Sequence, residues 1–187
     1  MKRILLIIML HAIVLSCAQI YPISTNQDVP INAYIKDINN ELLPYEGIWK
    51  GTWDNKVLYI TFKRIKKLQD HRPNHPYYKD VLIAKFKVLT SDEVLTIYDN
   101  TTVADDNTKI EGTRFFTMPI LRYSLIYIDP EICRDGTIRI NFINTAQTQL
   151  NWKYIDTTDM LTSDCPHYNT PDPLPQALPA EIILTRQ

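Results

Sequence analysis

The sequence predicts an all-β fold: an antiparallel meander closed as a barrel or sandwich, preceded by a short helix. Nine segments rich in Val, Ile, Thr, Tyr and Phe alternate apolar with polar residues within about 140 positions. Turn residues recur every ten or so positions, and no long helical pattern separates the segments, which argues against βαβ units. At 187 residues and 45% hydrophobic content, the chain suits one domain with a sizeable core.

Residues 1–17 read as an address. Lys2 and Arg3 form a positive n-region, and Ile4 to Leu15 is an apolar run broken only by His11. Such a run is too short to span a bilayer and reads as a signal peptide. Val14-Leu15-Ser16-Cys17 resembles the lipobox of bacterial lipoproteins, in which the cysteine, here Cys17, becomes the lipidated first residue. Ser16-Cys17-Ala18 also meets the small-x-small rule for ordinary cleavage after Ala18. The first reading gives a periplasm-facing, membrane-anchored lipoprotein of the cell envelope, and the second a soluble periplasmic or secreted protein. Under both, Cys133 and Cys165 remain as an even pair in an oxidising compartment and are expected to be bonded.

Residues 18–43 read as a tether and a short helix. Tyr34, Ile35, Ile38, Leu42 and Leu43 recur at helical spacing within Ala33 to Leu43, Pro44 would stop that helix, and it could plug one end of a barrel. The barrel domain is assigned to residues 44–187. Its strands are expected at Ile48 to Trp53, Val57 to Ile65, Val81 to Leu89, Glu93 to Asp99, Gly112 to Met118, Arg122 to Ile128, Thr137 to Ile143, Gln149 to Ile155 and Glu181 to Thr185. Asp54-Asn55 turns the first strand into the second. Five prolines between Pro166 and Pro179 exclude a central strand and read as an extended surface loop.

Charge and motifs exclude several functions. Twenty Lys plus Arg against 21 Asp plus Glu leave no footprint for nucleic acid. The four glycines form no G-x-G pair, so no dinucleotide or phosphate loop is present and no cofactor is implied. There is no G-x-S-x-G, H-E-x-x-H or Cys-x-x-Cys. The expectation is therefore a non-enzyme with no metal. His71 and His75 are four apart, but Pro73 and Pro76 prevent a helix there, and the stretch reads as a hairpin connection. Lys63-Arg64-Ile65-Lys66-Lys67, with Arg72, reads as the solvated end of that hairpin, and Asp105-Asp106-Asn107 as a turn.

The tryptophans carry the rest. Gly47-Ile48-Trp49 and Gly51-Thr52-Trp53 double a G-x-W motif on the first barrel strand, Trp152 lies on a late strand, and Arg186 ends the last one. An Arg laid over an indole where first and last strands meet would give a cation–π contact of about 0.5 to 2 kcal/mol. G-x-W with a terminal-strand Arg resembles the lipocalin and calycin pattern. That resemblance implies a closed barrel whose mouth takes a small apolar ligand or lipid, with Trp49, Trp53, Phe62, Phe86 and Trp152 lining it.

A wider resemblance covers nearly the whole chain. The leader ending Ser16-Cys17-Ala18-Gln19, the Tyr34-Ile35-Lys36-Asp37 segment before Gly47-Ile48-Trp49, Tyr78-Lys79-Asp80-Val81-Leu82-Ile83, Leu150-Asn151-Trp152-Lys153-Tyr154 and the closing Ile183-Leu184-Thr185-Arg186-Gln187 carry it. Together they resemble a family of small flavobacterial-type lipoproteins with a domain of unknown function. The resemblance implies export and a β-rich domain and transfers no catalytic residues. Two functions are therefore expected of a lipid-anchored monomer: a carrier of a small apolar molecule, or an envelope interaction module such as an inhibitor, immunity protein or assembly factor. An aromatic-lined cavity favours the first, and a filled barrel the second.

Overall fold

The computed structural model describes residues 19–25, 27–158, 161–169 and 174–187. The expected signal peptide and Cys17 lie outside these residues. Eleven strands follow in order: β1 (Ile20–Pro22), β2 (Tyr34–Lys36), β3 (Gly47–Trp53), β4 (Lys56–Gln69), β5 (Tyr77–Thr90) and β6 (Thr96–Asp99). They continue with β7 (Ile110–Phe116), β8 (Arg122–Asp129), β9 (Arg134–Phe142), β10 (Gln149–Asp156) and β11 (Glu181–Arg186). Two compact units divide them, one of the residues up to Asn39 with Lys66–Asp80, the other of Asn40–Ile65 with Val81–Gln187.

The larger unit is a closed antiparallel barrel of eight strands, in the order β3-β4-β5-β7-β8-β9-β10-β11. β5 meets β7 through Ile83↔Glu111 and Ala84↔Ile110, and β11 returns to β3 through Thr185↔Lys50 and Arg186↔Trp49. Every barrel strand therefore has two neighbours, which removes the unpaired edges that invite association. β6 sits beside the far part of β5, and just after it Asn100 continues the pairing with its side chain, Oδ1 accepting from the Phe86 amide at 2.7 Å.

Period-two alternation decides which side chains enter. On β4, Leu58, Ile60 and Phe62 are buried while Thr61 and Lys63 are exposed; on β8, Tyr123, Leu125 and Tyr127 are buried while Ile126 and Ile128 face outward. The β3–β4 turn is Asp54-Asn55, with φ of 43° and 58°, the left-handed pair that a two-residue hairpin turn needs. A bulge between Gly112 and Arg114 interrupts the β7 register, and the space a Cβ would take at Gly112 is filled by the Tyr123 ring.

All nine expected strands are present. The expected helix is not: Ala33 to Leu43 holds β2 instead, followed by a three-residue 3₁₀ turn, Leu43–Tyr45. Tyr34 and Ile35 lie parallel to Tyr78 and Lys79 of β5, so their amides serve a sheet, and Asn40 takes a left-handed φ of 55° that no continuing helix allows. Pro44 belongs to the 3₁₀ turn rather than stopping a helix before it. In the Pro-rich segment, whose residues 170–173 lie outside the described ones, Pro166, Tyr168 and Pro175 are exposed as expected of a surface loop, while Leu174, Ala177 and Leu178 are buried.

In the smaller unit β1 pairs β2 in parallel, and β2 pairs the start of β5 in parallel. Asp80, buried, accepts the Tyr34 hydroxyl at 2.5 Å and the Asp37 amide at 2.9 Å. Lys66 Nζ lies 4.5 Å and 4.3 Å from the Tyr34 and Tyr78 ring centres. The run Lys63 to Lys67 is thus engaged at Lys66, and in the barrel Lys63 meets Asp105 at 2.5 Å while Arg64 faces Glu46. His75 Nε2 lies 2.6 Å from the Val29 carbonyl, and the His71 ring stands edge-on to Tyr77. Both histidines sit in the connection between β4 and β5.

Candidate functional site

Five aromatics, Trp49, Trp53, Phe62, Phe86 and Trp152, are the residues expected to line the barrel interior. Trp49, Phe86 and Trp152 are 0% exposed and Phe62 is 2% exposed. A residue that no water-sized sphere touches has no room beside it, so at these four positions the interior is packed rather than hollow. Their aliphatic neighbours Leu58, Ile60, Leu125, Ile138, Ile140 and Leu184 are equally closed. Trp53 departs from the set: it ends β3, is half-buried, and has Lys56 Nζ 5.6 Å from its ring.

One end of the barrel is shut by the 3₁₀ turn. Tyr45 is buried against Phe142, with ring centres 4.6 Å apart, and against Phe115 and Tyr123 at slightly over 6 Å. Trp49 Nε1 donates to the Tyr45 carbonyl at 2.8 Å. Arg186 lies over Trp49, its guanidinium carbon 4.4 Å from the ring, and donates to the carbonyls of Glu46, at 2.7 Å, and Pro44. This is the Arg-on-indole contact expected at the junction of first and last strands. Burial pushes the Tyr45 phenol up to about 12.

The opposite end is built around Asp129, fully buried at the end of β8. Its Oδ2 accepts the hydroxyls of Tyr98 at 2.6 Å and Tyr127 at 2.9 Å; its Oδ1 accepts Lys109 Nζ at 2.7 Å and the Glu131 amide at 3.2 Å. A carboxylate has about four acceptor positions, and all four are taken, so this group holds the fold and has nothing left for a substrate. Burial first, and the Asp129 charge second, raise the Tyr127 phenol. Burial opposes the charge on Lys109, but hydrogen bonds to Asp129, Glu131 and Tyr98 outweigh it and raise its pKa.

Beside Asp129 lies an open cleft of about 350 Å³. The Cys133–Cys165 disulfide forms part of it, with Cα atoms 5.8 Å apart, pinning the β8–β9 turn to the segment after β10. Arg134 supports the same region: it bonds Asp156 at 2.6 Å and donates to the carbonyls of Leu174 and Pro175, so it clamps the Pro-rich segment onto the barrel end. Trp152 Nε1 holds the next residues through the Pro179 carbonyl at 3.1 Å. The cleft has a mixed lining: Ile128, Pro130, Leu161 and the disulfide beside Arg134, Asp135, Thr158 and Asp164. Sequence reasoning found the disulfide but missed Asp129 and Arg134. The alternation Tyr123, Leu125, Tyr127, Asp129 was the available signal, since it carries the carboxylate to the inner face.

With this geometry in hand, comparison with known proteins places the molecule. The sequence model of one family, described as a family of unknown function (DUF6705), matches residues 1–187. The chain belongs to that family. Apart from the leader, which falls outside the described residues up to Ala18, the segments that carry the resemblance map onto β2, β3, β5, β10 and β11. No curated protein and no solved structure matches the chain. The match to DUF6705 includes the Pro-rich segment that Arg134 clamps.

Proposed function

We propose that the protein is an exported, lipid-anchored, non-enzymatic binding module, in which a filled lipocalin-like barrel presents the disulfide-pinned cleft to a protein partner of the cell envelope. The observation that carries this is the packing of the interior. A carrier needs unfilled space beside its aromatics, whereas Trp49, Phe62, Phe86 and Trp152 have none and an open concavity lies at the barrel end. The Cys133–Cys165 bond supports an oxidising compartment, in line with the leader and Cys17. It also ties up both thiols, which removes them as nucleophiles.

Leu174, Ala177 and Leu178 are buried and Lys63 and Arg64 are paired within the barrel, which favours the cleft over these segments as the binding face. Replacing Thr162, on the cleft, by a photo-crosslinking residue and irradiating intact cells tests the reading. A discrete cross-linked protein is expected, and native mass spectrometry of the purified protein should show no bound small molecule. A stoichiometric lipid-sized adduct would replace this reading with the carrier.

A further inference from the structure

We propose that the tip between β7 and β8, residues 117–121, docks this barrel end onto an anionic phospholipid bilayer. Met118, Ile120 and Leu121 are 76%, 53% and 59% exposed, three large apolar side chains on one connection between strands. Water around them has no compensation within the fold, and a bilayer interface accepts such side chains individually. The residues flanking the tip are basic. Arg114 and Arg122 bracket Phe116, their guanidinium carbons 4.6 Å and 5.4 Å from its ring. Neither has an ion pair among the described residues, whereas Lys50, Lys63, Lys85, Lys109, Arg134 and Lys153 each have one. Two unpaired cations beside an apolar tip are the complement of a phosphate-rich headgroup layer above hydrocarbon.

The rest of that end agrees. Strand directions place the β9–β10 turn, residues 143–148, next to the tip, because Tyr123 pairs with Ile140, and the ring contacts of Tyr45 bring the Leu43–Tyr45 turn to the same end. These three segments, Thr-Met-Pro-Ile-Leu, Ile-Asn-Thr-Ala-Gln-Thr and Leu-Pro-Tyr, contain no charged residue. Leu43 and Ile143 add further exposed apolar surface. The opposite end is more acidic: its turns carry Asp54, Asp92, Glu93 and Glu131, of which Glu93 pairs with Lys50 and Glu131 with Lys109. An anionic membrane therefore repels one end and attracts the other, and the docked orientation turns the disulfide-pinned cleft away from the bilayer. The proposal does not depend on lipidation of Cys17.

The test uses residues 19–187, which hold every described strand and lack Cys17, sedimented with vesicles of phosphatidylcholine alone or mixed equally with phosphatidylglycerol. Binding to the mixed vesicles is expected, weaker on phosphatidylcholine and weakened by salt. The triple variant Met118→Ser, Ile120→Ser, Leu121→Ser should lose at least about tenfold in partitioning, with an unchanged melting temperature because all three side chains are exposed. Arg114→Gln with Arg122→Gln should abolish the preference for anionic lipid. Independently of stability, an environment-sensitive dye on Met118→Cys should shift to the blue when mixed vesicles are added. Absence of vesicle binding by the wild type, equal binding by the triple variant, or no dye shift would overturn the proposal. A self-association that only the triple variant loses, without vesicle binding, would overturn it by making the tip a protein contact.

Discussion

Arg186 lies over the Trp49 indole at 4.4 Å and at the same time donates to the carbonyls of Pro44 and Glu46. One side chain from the last strand thus covers a ring on the first and satisfies the backbone of the turn that shuts the barrel. Removing it takes away the cation–π contact and leaves two carbonyls without their donor. Arg186→Ala is expected to cost about 2 to 4 kcal/mol. Urea unfolding checks it; a loss below about 0.5 kcal/mol would mean the latch does not hold the barrel.

The Tyr45 phenol, raised by burial from an ordinary value near 10 to about 12, makes stability fall with alkali. The folded state keeps its proton longer than the unfolded chain does, so the contribution is intact below pH about 10 and is lost as pH rises through about 12. Tyr98, Tyr127, Tyr154 and Lys109 are shifted in the same direction and add to the fall. Unfolding free energies measured between pH 8 and 12 should decline, and Tyr45→Phe should flatten the decline by as much as about 2 to 3 kcal/mol at its upper end. An unchanged slope in Tyr45→Phe would show that the phenol titrates normally.

Asp129 is held by four donors, including the Lys109 ammonium. Asp129→Asn keeps the shape but removes the charge opposite Lys109, so it should destabilise by about 3 to 5 kcal/mol. Adding Lys109→Met should return part of that loss, which a double-mutant cycle in urea would read directly. Strictly additive losses would rule out the coupling.

These residues show how far the sequence was legible. The strands were, because Leu58, Ile60 and Phe62 or Tyr123, Leu125 and Tyr127 alternate with outward residues and one face is buried. The Arg186–Trp49 contact was legible too, since it joins the first and last strands of any closed meander. The segment from Tyr34 to Leu43 was misread because its spacing also fits a helix, and only pairing with Tyr78 and Lys79, over forty residues away, settles it as a strand. The cleft was beyond reach for the same reason: it exists where the segment after β10 folds back on the β8–β9 turn, a long-range event without local signature. Arg134 belongs to that event, binding Pro175 and Leu174 forty residues on.

The Cys133–Cys165 bond closes a loop of 32 residues' separation that includes β9 and β10. Its removal should cost roughly 3 to 4 kcal/mol, most of it through the freed unfolded chain. Cys133→Ser with Cys165→Ser should melt lower by that amount. Cross-linking from Thr162 should fall in the same variant, because the cleft wall loses its pin. A variant that melts lower yet cross-links as before would separate the disulfide from the binding face.

Phe86 offers the sharpest test of a filled barrel. Its ring is stacked on Tyr98 at 4.9 Å, 7° from parallel, and stands edge-on to Tyr127 at 6.2 Å, with no exposed surface. Truncation to alanine removes a ring whose place its neighbours cannot fully occupy, at a cost of about 3 to 5 kcal/mol. The space left lies between the Tyr98 and Tyr127 rings, and a cavity of that size walled by aromatic rings accepts benzene-sized molecules. Phe86→Ala should therefore gain binding of benzene or a similar apolar probe, seen as a rise in melting temperature with added ligand, while the wild type shows no such rise. Equal stabilisation of both would mean that space already exists in the native interior and would restore the carrier reading. Stabilisation of the variant alone would mean that this barrel has been packed shut and that its binding surface lies outside.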